Sequence, residues 1–298
     1  MDSTLFLQQL INGMSLGSMY ALIAIGYTMV YGVLRLINFA HGELMMIGAY
    51  TALFCVSSMS VPFVGALSLT MIFAACVGIA MDKIAYKPLR QAPRISLLIT
   101  AIGMSFFIQN LFNISFGSTP RAFPIPAYLE QVLEFKGLSL SVASIFVPVL
   151  TLIILCLVLL MLYKSKYGIA IRALAFDVYA VNLMGIDANK IIAIVFALGS
   201  ALAAVGGVFW SINYPSVEPS MGVLIGLKAF AAAVLGGIGS VLGAVLGGLI
   251  IGFSEVIAVA FFPELAGFKD AFAFIFLVFI LLFKPSGILG INYERSRF

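Results

Sequence analysis

The stretch from Val142 to Lys166 reads VASIFVPVLTLIILCLVLLMLYKSK. No residue from Val142 to Tyr163 is charged, and Lys164 and Lys166 end the run. A helix needs about 20 consecutive apolar residues to cross the hydrocarbon core of a bilayer. A half-buried strand would alternate apolar and polar positions, and this run continues far past strand length. The stretch predicts a membrane-spanning helix that emerges into a basic loop.

The same pattern repeats along the chain. Apolar segments cover about 8–31, 38–58, 61–82, 95–115, 142–163, 190–212, 221–238, 241–262 and 268–284. Two junctions are thin: residues 31–38 between the first pair, and Gly239-Ser240 between 221–238 and 241–262. The prediction is an all-α polytopic membrane protein with about eight transmembrane helices, or nine by strict count, forming one domain over 1–298. Composition agrees: 63% of the 298 residues are hydrophobic and 9% charged, which fits no soluble globular class.

The few charges give the orientation. Lys83, Lys87, Arg90 and Arg94 fill one gap, and Lys164, Lys166, Arg172 and Lys190 another. Lys284, Arg295 and Arg297 close the chain. Clustered Lys and Arg mark cytoplasmic loops, which places the C-terminus inside. The loop 116–141 balances Arg121 and Lys136 against Glu130 and Glu134, and residues 213–220 carry Glu218 without a base. Both are expected outside, as is the N-terminus with Asp2. No positive region precedes the first apolar segment, so that segment is expected to be retained rather than cleaved.

Several classes are excluded. No basic and aromatic stripe suits nucleic acid. No Gly-Lys-Ser/Thr sequence forms a phosphate loop, so ATP hydrolysis is not expected in this chain. His41 is the only histidine, and Cys55, Cys76 and Cys156 lack metal-type spacing. No resident metal or cofactor is expected, and the cysteines read as buried small hydrophobes.

Some polar residues inside apolar segments need a partner or a wet cavity. Asn38, His41 and Glu43 begin the second segment, Lys228 lies in the seventh, and Glu255 follows in the next. They are candidates for lining a polar substrate's path or, equally open, for structural pairing between helices. Gln109 and Asn110 read as interhelical hydrogen bonds. Gly239, Gly243 and Gly247 recur every fourth residue, as do Gly248 and Gly252, a spacing that lets helix backbones approach closely in lipid. A broken helix at Gly236–Ser240 is the other reading.

The basic gap 164–190 differs from a plain turn. Ile171, Leu174, Val178, Val181 and Met184 fall at helical spacing, with Gly185 placed to end the helix and Asp187 to cap the next. Such a helix either lies on the membrane or enters a groove on a partner, and spacing alone does not choose.

Three stretches together carry a family resemblance. They are GSMYALIAIGYTMVYG at Gly17–Gly32 followed by INFAHGE at Ile37–Glu43, Lys228-Ala229-Phe230 leading to VLGGIGS at Val234–Ser240, and PSGILG at Pro285–Gly290. The chain resembles the LivH-type permeases of bacterial branched-chain amino acid ABC importers along essentially its whole length. The resemblance implies a transport subunit of the inner membrane, with a second permease of the LivM type, two cytoplasmic ATPase subunits that use ATP and Mg, and a periplasmic substrate-binding protein. It makes the segment around Arg172–Gly185, with Leu174, Val178 and Val181, similar to the ATPase-coupling loop, although the Glu-Ala-Ala triplet of other importer permeases is missing. Related permeases carry urea, short amides or aromatic acids. From the residues alone, a stand-alone secondary transporter or channel is the rival of another class.

Overall fold

The structure, a computed structural model, describes residues 3–135 and 137–290. Asp2, Lys136 and the tail with Arg295 and Arg297 lie outside these residues. The helices are α1 (Ser3–Leu34), α2 (His41–Ser57), α3 (Phe63–Met81), α4 (Arg94–Phe116), α5 (Ala127–Glu130) and α6 (Val142–Lys164). They continue as α7 (Lys166–Phe176), α8 (Val178–Leu183), α9 (Ala188–Asn213), α10 (Met221–Gly236), α11 (Val241–Phe261) and α12 (Lys269–Phe283). Short strands are β1 (Arg121–Ala122), β2 (Val132–Phe135), β3 (Leu138–Ser141) and β4 (Ser216–Val217).

Among the described residues, 7 helical stretches are long and apolar enough to cross a membrane, and Met221–Gly236 is a shorter apolar helix. The chain is an all-α polytopic membrane protein. Burial sorts the helices into two layers. The spanning windows of α1 and α9 are 89% and 78% buried, whereas those of α4 and α12 are 11% and 6% buried. The inner layer therefore comprises α1 and α9 with the short helices α2 and α10, and the others surround it. Cys55 is buried, but Cys76 and Cys156 are exposed on this outer layer, contrary to expectation. Their helices turn most of their apolar surface outward, where a thiol faces the same surroundings as a valine. Asn110 also faces outward, and its amide donates to Phe106 O in its own helix at 2.8 Å rather than to a neighbour.

The two thin junctions are genuine breaks. Arg35 has φ +51 before α2, and Gly237 and Gly239 have φ +109 and +95 between α10 and α11. Irregular backbone at membrane depth must be satisfied internally. At the first break Asn38 Oδ1 accepts from Ala40 N at 3.1 Å and from the Tyr86 hydroxyl at 2.6 Å. At the second, Gly239 N donates to Thr28 Oγ1 at 3.0 Å. Ile288 N and Leu289 N donate to Leu235 O and Gly236 O, so the Pro285–Gly290 stretch occupies the carbonyls that α10 leaves open at its end.

Loops that the charges assign to one side share one end of the bundle. Strands β1 and β4 pair Arg121 with Val217 and Ala122 with Ser216, joining the loop 116–141 to residues 213–220. Gln8 Nε2 donates to Ser139 O at 2.7 Å, bringing the start of α1 to that end. At the opposite end Arg90 pairs with Asp82 and donates to Asn189 Oδ1 at 2.6 Å, tying two basic gaps together. The loop 116–141 contains α5 and the paired strands β2 and β3.

Candidate substrate pathway and coupling loop

Helix α10 meets the bundle on two faces. Gly222 and Gly226, one turn apart, lie against Gly42 of α2 with no room for a side chain. Lys228, two positions on, points instead toward α11. Its ammonium lies 3.0 and 2.9 Å from the two carboxylate oxygens of Glu255 and 3.1 Å from the Tyr20 hydroxyl. Tyr20 donates to Glu255 Oε2 at 2.9 Å, and Asp270 at the start of α12 also pairs with Lys228. Lys228 and Glu255 are 2% and 5% exposed, so each charge depends on the other. Neither Tyr20 nor Asp270 stands out in the sequence, because one sits in an apolar run and the other at a segment end.

Asn38, His41 and Glu43 form a second group around the α1–α2 break. The His41 ring packs on Tyr27 with centroids 4.4 Å apart and sits over Gly26 of α1, which itself lies against Gly199 of α9. Glu43 is fully buried and accepts from Ser105 Oγ of α4 at 2.9 Å, while its Oε2 has no hydrogen-bond partner among the described residues. Asn38 Nδ2 is likewise unpartnered. Lys228 therefore pairs with Glu255 and Asp270, not with Glu43, and the five candidate pathway residues divide into two sites that both contact α10.

The glycines of α11 serve two neighbours. Gly243 and Gly247 lie against Gly236 and Ala232 of α10, and Gly248 and Gly252 lie against Ala21 and Gly17 of α1. Gly239 belongs to the break and not to the helix.

The loop 164–190 contains two helices where one was expected. Ser165 accepts from Gly168 N to start α7, and Asp177 accepts from Tyr179 N and Ala180 N to start α8. Asp177 can cap only by leaving helical geometry itself, which divides the segment. Gly185 closes α8 with φ +79, and Asp187 caps α9. Three of the five residues of the expected stripe are turned inward: Ile171, Leu174 and Val181 are buried against the bundle, while Val178 and Met184 are exposed. The side chains left outside are Phe176, Tyr179, Leu183 and Met184, with Leu183 88% exposed. Helical spacing found the buried stripe but had no means of saying that this chain itself covers it. Arg172 lies over the Tyr163 ring, 4.9 Å from its centroid, and lines a cleft between α7 and the ends of α1, α6 and α11.

Comparison with known proteins places this architecture. The family described as "Branched-chain amino acid transport system / permease component" matches residues 9–281. The high-affinity branched-chain amino acid transport system permease protein BraD of Pseudomonas aeruginosa is 43% identical over 296 residues, covering 96% of each chain. LivH of Escherichia coli K12, which bears the same description, is 39% identical over 300 residues with the same coverage. A probable branched-chain amino acid transport permease protein LivH of Methanocaldococcus jannaschii is 30% identical over 294 residues, covering 94% of this chain and 91% of that one. Among solved structures, PsaBC from Streptococcus pneumoniae in complex with Fab shares the fold with a TM-score of 0.50 at 13% identity, over 96% of this chain and 94% of that one. The chain belongs to the family of permease components of branched-chain amino acid transport systems.

Proposed function

We propose that this chain is the transmembrane permease subunit of an ATP-driven ABC importer for leucine, isoleucine and valine in a bacterial inner membrane. The observation that carries this reading is the match to BraD, 43% identical across 96% of both chains. The chain carries no phosphate loop, so ATP and Mg act in two cytoplasmic ATPase partners. A second, LivM-type permease completes the membrane part, and a periplasmic binding protein delivers substrate. The basic gaps at one end of the bundle support placing that end and the C-terminus in the cytoplasm, with the N-terminus and the β1–β4 end in the periplasm.

The geometry suits coupling in the following way. The exposed apolar side chains of α8 enter a groove on an ATPase subunit. Helix α7 packs on α6 and on the inner end of α1. Helix α1 then runs from that end past His41 to Tyr20 and the Lys228–Glu255 pair, so a push on α7 reaches both polar groups through one rigid element. The Asn38–His41–Glu43 group is closed off from solvent in this state and forms the constriction on the path.

Affinity purification of the tagged chain from its own cells tests the reading. Nucleotide-binding subunits should co-purify in stoichiometric amount. A homomer that moves solute in liposomes without them would overturn it. Cysteine labelling should reach position 128 from outside intact cells and fail at 90 and 172; the reverse pattern would invert the orientation.

A further inference from the structure

A cavity of about 460 Å³ opens at the end of the bundle that carries the β1–β4 pair, the end proposed to face the periplasm. It lies between the outer ends of α1, α6, α9 and α11 and reaches down to Met19 and Glu255. We infer that this cleft is an acceptor site for a free zwitterionic amino acid with an apolar side chain. This inference rests on the proposed function, since it places that function's substrate class at a site within this one chain.

Glu255 lines the floor, and the buried cluster behind it, to which Lys228 and Asp270 belong without lining the cavity, carries an excess of negative charge. One ammonium, Lys228, faces two carboxylates, Glu255 and Asp270. An ionised carboxylate offers about four acceptor positions. Glu255 uses three of them here, one on Oε1 and two on Oε2, which leaves Oε1 able to accept another donor. A substrate ammonium supplies that donor and the missing positive charge. At the mouth, exposed Lys269 supplies a cation for the substrate carboxylate, and the Gln9 and Asn12 amides add donors. Leu16, Val256 and Val259 provide an apolar wall between the two ends.

Other occupants fit less well. An inorganic anion meets the negative floor. Among the described residues no group of three His, Cys, Asp or Glu side chains is placed to hold a metal ion. A lipid chain would have to lie against Asn12, Ser15 and Asn213. Tyr214 at the rim stays a neutral donor, because burial and then the nearby Glu255 charge push its hydroxyl above the ordinary phenol range. Cavities of about 300–1,000 Å³, mostly apolar with a few placed polar groups, are usual for small-molecule sites.

The test uses the assembled transporter in nanodiscs without its binding protein, with saturation-transfer NMR reporting on leucine. Leucine should give a signal that valine competes away. Isovalerate, which lacks the ammonium, and isopentylamine, which lacks the carboxylate, should each compete at least tenfold more weakly. Val259→Phe, which fills the cleft, should lose the signal at least tenfold while keeping the parent's thermal unfolding profile. If that variant fails to assemble, the competition series on the parent decides. Equal competition by isovalerate, parent-like binding by Val259→Phe, or no leucine signal from a complex that transports leucine would overturn the site alone. A complex that moves no branched-chain amino acid under any condition would overturn the functional reading instead.

Discussion

Lys228 of α10 and Glu255 of α11 hold each other through both carboxylate oxygens, at 3.0 and 2.9 Å, between the two helices. Removing one partner of a buried pair costs about 3–5 kcal/mol, because the other charge stays desolvated. Lys228→Met leaves Glu255 and Asp270 without a counterion and should lower the unfolding midpoint and the yield of purified complex. Adding Glu255→Leu should recover most of that loss. An unchanged midpoint in the single variant would show that the pair does not tie the helices together.

Glu43→Gln tests the other polar group. The amide oxygen can still accept from Ser105, so assembly and thermal unfolding should match the parent. Uptake into reconstituted vesicles should fall at least tenfold, because the carboxyl group at the constriction is gone. Parent-like uptake would move the path away from the α1–α2 break.

The close contacts of α11 predict a contrast between two glycines. Gly247→Leu forces α11 away from Ala232 of α10 and should destabilise the subunit by about 1–3 kcal/mol or more. Gly103→Leu on α4 is the control, because nothing lies within 4 Å of the added Cβ. Melting curves of the two purified variants make the comparison. Equal midpoints would mean that backbone proximity on α11 is not limiting.

The coupling loop separates structural from docking residues. Leu174→Asp places a charge at a 1% exposed position and should reduce folded subunit whether or not ATPase is present. Leu183→Asp and Met184→Asp lie on the outside, so folding should be kept while the ATPase dissociates from the purified complex. Gly185→Val strains a residue at φ +79 and should leave ATP turnover poorly stimulated by the loaded binding protein. If Leu183→Asp and Met184→Asp both retain full ATPase association, the exposed patch is a membrane-surface element.

Periodicity and charge carry much of this fold in the sequence itself. The run at Val142–Tyr163 announced a spanning helix, and the glycine spacing on α11 pointed to close packing. Gly185 and Asp187 stand at the helix boundaries where their chemistry places them. Pairing was not legible. The chain separates Lys228 from Tyr20 by most of its length, and no local pattern reports which carboxylate a buried lysine meets. The same limit hid Asp270 and Ser105, and it concealed which face of α7 and α8 the bundle covers. Burial is a property of neighbours, whereas periodicity is a property of one helix.

Transport competition is the most direct measurement of what this subunit does. Vesicles containing the full complex, with ATP inside and loaded binding protein outside, should accumulate labelled leucine. Unlabelled isoleucine and valine should abolish that uptake, while urea and benzoate leave it unchanged, and removing ATP should stop it. Uptake that persists without ATP, or that urea or benzoate suppresses as strongly as valine does, would contradict an ATP-driven importer of branched-chain amino acids.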